Sequence, residues 1–261
     1  MAELIRYEVD AGIATLTLCD PPANTYTYEM LQQLDARVLE ARMDDAVHVI
    51  VLTGDGEKFF CAGANINMLD DVTPSFKYYF CLHANETLNR LENTPKLVIA
   101  AMNGHTVGGG LEVALAADLR VGKKDGGKVG LPEVALGVLP GTGGTQRLLR
   151  VVGKSKALEL MTKGATFSMD DAHALGLVNE VFEAEGFRDA VKKYAQQFVP
   201  PNKASKAVGL IKRSVVTGGE VSFESGLALE RELQQQLFTS EDAKEGIRAY
   251  VEKRKAEFKG R

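Results

Sequence analysis

Short apolar runs rich in β-branched residues alternate, through the first half of the chain, with stretches whose apolar positions recur every three or four residues. Few folds accommodate that alternation. Gly12 to Leu18 (GIATLTL) alternates apolar residues with Thr and stops at Pro21-Pro22, as a strand entering a loop does. From Tyr28 to Met43 the apolar positions Met30, Leu31, Leu34, Val38 and Leu39 mark one face of a helix. Val47 to Thr53 (VHVIVLT) then reads as a buried strand closed by Gly54, completing a βαβ unit. A second helical stretch follows at about Phe76 to Leu91, and a third apolar run, Leu97 to Met102, ends at Asn103-Gly104. The pattern predicts an α/β fold with a mainly parallel sheet, covered by helices, whose functional loops lie at strand C-termini.

Beyond about Gly143 the composition shifts to helix formers, with Leu177 to Phe182 as the remaining strand candidate. Ser168 and Asp171 have the spacing of a capping box. Helices are predicted at Phe187 to Val199, Lys203 to Val216, Ser222 to Phe238 and Ser240 to Phe258. In the last of these, Ile247, Tyr250, Val251 and Phe258 make too thin a stripe for a core of its own, so the region must pack on the main body or on another subunit.

Composition narrows the function classes. The 261 residues are 45% hydrophobic and 25% charged, and 31 Lys plus Arg against 35 Asp plus Glu give a formal charge of −4. Those values fit a folded globular domain and exclude disordered, fibrous and disulfide-scaffold classes. No basic cluster marks a nucleic-acid surface, and no apolar run approaches the roughly 20 residues of a membrane span. The expectation is therefore no nucleic-acid partner and no membrane. Three cysteines without CxxC spacing and an acidic N-terminus point to the cytoplasm.

Several motifs dissolve on inspection. Gly153-Lys154-Ser155 lacks the P-loop glycine, because that position is Leu148. Gly141-Thr142-Gly143 lacks the third glycine of a dinucleotide fingerprint, which would fall at Gln146. The four histidines have no paired ligand spacing, so no metal site is expected. Cys61 with His105 is conceivable as a nucleophile pair, but a buried, inert Cys61 is the favoured reading.

Two glycine-bearing loops follow predicted strands: Phe60 to Ile66 (FCAGANI) and His105 to Glu112 (HTVGGGLE), the second entering a helix over Leu111 to Ala117. Backbone N–H groups exposed at two such places can converge on one oxygen as an oxyanion hole, although glycines also serve tight packing alone. Two acids in apolar surroundings tip the balance. Glu112 lies among Leu111, Val113, Ala114 and Leu115, and Glu133 lies in GLPEVAL. Desolvation raises the pKa of a carboxyl in such a setting and suits it to proton transfer.

With these stretches in order, together with GVLPGTGGTQRL (137–148), AHALGLV (172–178) and EGIRAYVEKRKAEF (245–258), nearly the whole chain resembles the crotonase (enoyl-CoA hydratase/isomerase) superfamily, most like its enoyl-CoA hydratases. The resemblance implies a crotonase-type spiral of ββα units over 1–199, with the acyl-CoA site. It also implies a helical C-terminal trimerisation region over 200–261 and assembly as a homotrimer or homohexamer. It assigns catalysis to Glu112 and Glu133, the oxyanion hole to the amides of Ala64 and Gly109, and substrate contacts to Ala23, Ala62, Ile66, Gly141 and Lys253, the last offered by a neighbouring subunit. The reaction implied is addition of water to a 2-enoyl-CoA, giving a 3-hydroxyacyl-CoA, in fatty acid and lipid metabolism. No separate cofactor is expected, since coenzyme A belongs to the substrate. Double-bond isomerisation is the alternative, and a non-catalytic acyl-CoA or RNA-binding protein a more distant one. The chain departs from the common family pattern at Asn65-Ile66-Asn67 and in the loop Asp20 to Tyr28, which lacks a basic residue before its proline.

Overall fold

The computed structural model describes residues 2–261, and among them two sheets organise the chain. Strand β1 (Ile5–Asp10) pairs antiparallel with β2 (Ile13–Leu18), and helix α1 (Tyr28–Met43) returns the chain to β3 (Val49–Gly54), parallel to β2. From there each pass deposits one strand in the large sheet and one short strand in a second sheet. β4 (Phe59–Cys61) precedes α2 (Ile66–Asp70) and α3 (Pro74–Glu92); β5 (Leu97–Met102) is followed by β6 (His105–Val107) and α4 (Gly109–Leu115). β7 (Leu119–Lys123) and β8 (Val129–Gly130) make the third pass. That recurrence is the expected spiral.

Helices α5 (Gly144–Val152) and α6 (Lys154–Lys163), strand β9 (Thr166–Phe167), α7 (Met169–Ala174) and β10 (Glu180–Phe182) complete both sheets. The large sheet runs β1-β2-β3-β5-β7-β10 and the small one β4-β6-β8-β9, with β1 and β9 the antiparallel members. Then come α8 (Phe187–Gln196), α9 (Ser205–Gly218), α10 (Phe223–Phe238) and α11 (Glu241–Val251). The Ser168 and Asp171 capping box forms at the start of α7. No helix among the described residues is long and apolar enough to cross a membrane.

One core fills the space between the sheets and α1, α3 and α4, with Leu16, Leu34, Leu52, Phe60, Phe80 and Met102 fully buried. A smaller core lies on the other face of the large sheet, where Val49, Val51, Ile99 and Val121 meet Phe187 and Val191 of α8. Asn103 ties strand ends together at the site edge: its side chain accepts from the Gly54 amide at 2.9 Å and donates to the carbonyls of Gly54 and Gly56. The C-terminal helices are fastened by a buried ion pair, Lys212 of α9 with Asp118 at 2.8 Å. Lys212 also donates to the Lys96 carbonyl, and Asp118 accepts from the Val98 amide.

The structure differs from expectation at several ends. Helix α11 stops at Val251, because Arg254 turns back onto Glu245 and the Phe258 amide of the tail donates to the Pro201 carbonyl. The strand expected over Leu177 to Phe182 is confined to Glu180–Phe182, with Leu177 and Val178 bonded into the turn after α7. The helix expected over Leu111 to Ala117 begins two residues earlier, at Gly109.

Candidate active site

The two glycine loops abut at the seam between sheets. Gly63 has φ +95° and Gly108 φ +56°, a left-handed region open to glycine, and a Cβ on Gly63 would stand 2.9 Å from the Gly109 nitrogen. The turn at Gly63 presents the Ala64 amide while the Gly63 carbonyl accepts from Tyr26 and the Asn65 amide donates to the Tyr26 carbonyl. Gly109 is the first residue of α4, where no intrahelical acceptor exists for its N–H. Among the described residues, the Ala64 and Gly109 amides have no backbone or side-chain acceptor. Those two donors are free to serve one oxygen.

Glu112 sits one turn into α4 and is 2% exposed. Its Oε1 accepts from the amides of Thr142 at 2.8 Å and Gly144 at 2.7 Å. Its Oε2 meets the Thr142 hydroxyl, which lies 3.2 Å from the Tyr26 hydroxyl. Burial holds the Tyr26 phenol well above the usual tyrosine range, with the Glu112 charge adding to the effect.

Glu133 opens the turn Glu133–Leu136. A Cβ built on Gly108 would lie 3.2 Å from Glu133 Oε1, so this carboxyl hangs over the loop that carries Gly109. Its Oε2 is buried and has no hydrogen-bond partner among the described residues. Desolvation pushes the carboxyl up to about 7, helped by the charge of Glu112 and opposed by its own amide and by Lys77. The two acids thus share one locality but not one environment: three donors surround Glu112, and none reaches Glu133 Oε2.

The remaining expected residues divide. The Ala23 carbonyl accepts from the Ala62 amide at 3.0 Å, placing both half-buried residues beside the Gly63 loop. Ile66 begins α2 and is exposed. Gly141 precedes the residues that hold Glu112, and a Cβ there would meet Cys81 Sγ at 3.3 Å. Lys253 follows α11, on a tail that reaches Pro201 and, through Gly260, His48 just before β3; among the described residues it makes no hydrogen bond or ion pair with either acid. Cys61 is fully buried and desolvation pushes its thiol up to about 12, while His105 Nδ1 accepts from the Lys128 amide. They form no nucleophile pair. Tyr26 and Thr142 are the site residues that sequence reasoning missed; Thr142 lies inside the conspicuous GTGG loop, but nothing local marks Tyr26.

The chain has full-length relatives among enoyl-CoA hydratases. The chain is 37% identical over 256 residues to the short-chain-enoyl-CoA hydratase of Clostridium acetobutylicum, covering 97% of each. It is 35% identical over 257 residues to the crotonyl-CoA hydratase of Syntrophomonas wolfei, covering 98% of each. A crystal structure of an enoyl-CoA hydratase from Geobacillus kaustophilus superimposes with a TM-score of 0.97 at 43% identity, across 100% of this chain and 98% of that one. Residues 8–261 match the pattern of the family described as enoyl-CoA hydratase/isomerase. With fold, relatives and sequence pattern in agreement over nearly its full length, this chain belongs to the enoyl-CoA hydratase/isomerase family.

Proposed function

We propose that the protein hydrates a 2-enoyl-CoA to the corresponding 3-hydroxyacyl-CoA. The observation that carries this reading is the pair of unlike carboxyls beside two unclaimed amides. The thioester oxygen accepts from Ala64 and Gly109, which stabilise the enolate that forms as water adds. Glu112, surrounded by donors, takes a proton from water as its oxygen bonds to C3. Glu133, with a pKa of about 7, can hold a proton near neutral pH and deliver it to C2. Exchange with solvent then removes the proton from Glu112 and restores the one on Glu133, so a full turnover adds the elements of one water to the thioester and needs no separate cofactor.

The names of the relatives support a short acyl group, and Ala23, Ala62, Ile66 and Gly141 are assigned to its pocket and its CoA arm. The C-terminal region over 200–261 exposes Ile211, Val215, Phe223 and Tyr250, an apolar surface that suits assembly into a homotrimer or homohexamer. In such an assembly Lys253 reaches a neighbour's CoA. Cytoplasmic fatty acid metabolism fits the chemistry.

The purified protein should bleach the ultraviolet absorbance of crotonyl-CoA, with oxygen from ¹⁸O-water entering the product. Glu112→Gln and Glu133→Gln should each cost about 10² to 10⁴ in kcat. Turnover without ¹⁸O uptake would convert the reading to isomerisation, and full activity in both variants would refute the assigned roles.

A further inference from the structure

We propose that Tyr26 and Thr142 are positioning residues that commit Glu112 to its role as proton acceptor, through a hydrogen-bond relay running from Tyr26 to Thr142 to Glu112. The inference rests on the hydratase reading above and concerns how one of its acids is controlled.

Hydrogen-bond inventory fixes the direction of the relay. Two backbone N–H groups, which can only donate, occupy Glu112 Oε1, so the acid proton cannot reside comfortably on that oxygen. It must come and go at Oε2, which faces the Thr142 hydroxyl. With Glu112 ionised, Thr142 donates to Oε2 and Tyr26 donates to Thr142 Oγ1, so both hydroxyl protons are used. When Oε2 takes the proton of water on its second lone pair, Thr142 still donates to Oε2 and Tyr26 still donates to Thr142, so neither bond reverses. Tyr26 is 3% exposed, and Thr142 is its hydrogen-bond partner among the described residues. Each buried hydroxyl keeps its acceptor in both charge states, so the relay holds one carboxyl orientation throughout the proton transfer. Glu112 is thereby held ready to take the proton of water.

The same tyrosine braces the site mechanically. Its ring stacks on Phe80 with centroids 6.0 Å apart, and a Cβ on Gly109 would stand 2.0 Å from its hydroxyl. Tyr26 therefore touches the helix end that offers the Gly109 amide and, through Thr142, the carboxylate one turn later. Thr142 grips both oxygens of Glu112, one with its amide and one with its side chain. Arg147 steadies that loop from behind, bonded to Glu92 and Asn89 with its guanidinium 3.5 Å from the Thr142 carbonyl.

The test compares Tyr26→Phe, Thr142→Val and Thr142→Ser with the parent protein in crotonyl-CoA hydration, with near-ultraviolet circular dichroism and thermal melting as checks of folding. Neither hydroxyl bonds substrate in the relay, so kcat should fall while KM stays within about twofold. Expected losses in kcat are about tenfold for Tyr26→Phe, the upper end for a bond between neutral groups, and about 30-fold for Thr142→Val, within the range for removing a hydrogen bond to a charged group. Thr142→Ser, which keeps the hydroxyl, should recover to within about threefold of the parent. A KM effect with unchanged kcat, a serine variant as impaired as valine, or a Tyr26→Phe variant of full activity would overturn the relay alone. A parent protein that fails to hydrate any enoyl thioester would remove the hydratase reading and the relay with it.

Discussion

Glu133→Gln should make the folded protein more stable at alkaline pH while it impairs catalysis. The free carboxyl titrates near 4.5, and burial in the fold pushes it up to about 7. Below about pH 4.5 the group is neutral in folded and unfolded chains alike and is neutral in its effect on stability. Between 4.5 and 7 the unfolded chain gives up the proton and the folded chain keeps it, so stability falls as pH rises. Above 7 the loss is complete. Moving a carboxyl from 4.5 to about 7 corresponds to about 3.4 kcal/mol at 1.36 kcal/mol per pH unit. Water reaches part of this half-buried side chain, and screening reduces the figure to about 1.5 kcal/mol. Glutamine cannot ionise, so the variant escapes the penalty. Urea unfolding of both proteins, at matched concentration and at pH 5 and pH 8, isolates the effect, because a pH-independent packing change cancels in the comparison. The variant should gain about 1.5 kcal/mol on the parent between the two pH values. A gap constant to within about 0.3 kcal/mol would refute the desolvation argument, and with it the physical basis for Glu133 as the proton donor.

Gly109→Ala should lose about 1 to 3 kcal/mol of stability and most activity, since the new methyl group collides with the stacked Tyr26; thermal melting and the hydration assay read both effects. Lys212→Met should cost about 3 to 5 kcal/mol in denaturant unfolding, because Asp118 is left buried without its partner, and adding Asp118→Leu should recover part of that loss. Iodoacetamide at neutral pH should modify Cys19 and Cys81, which solvent reaches, before Cys61, whose thiol is pushed up to about 12 by burial; mass spectrometry of the native protein tells them apart.

Long elements with one periodicity were legible in the sequence. Helix α1 and strand β5 fall on the predicted residues, Tyr28 to Met43 and Leu97 to Met102, because an apolar face or an unbroken buried run leaves no other reading. Strand β1 escaped notice: Ile5–Asp10 places Arg6, Glu8 and Asp10 along an antiparallel edge, and its pairing with β2 rather than any apolar pattern makes it a strand. The small sheet was equally hidden, since β4 and β6 have three residues each and β8 and β9 have two, too few for any repeat to show. At the site, Glu112 and Glu133 stood out as acids in apolar company, and the glycine loops as strand ends. The Tyr26 to Thr142 contact spans 116 positions in the chain, and the Glu112 to Thr142 contacts span 30, distances over which local pattern carries no information.

The seam between the sheets has a further consequence. The acids and the free amides ride on α4, the Glu133 turn and the Gly63 loop, which are anchored to buried strands. Helix α3 flanks them on one side and turns Phe76, Tyr78, Tyr79 and Leu82 outward. On the proposed reading, substitutions at those outward positions, unlike ones at Lys77 or Phe80, would reshape the room left for an acyl chain and spare the two acids, so taste in substrates and chemical competence could evolve on different parts of the same spiral.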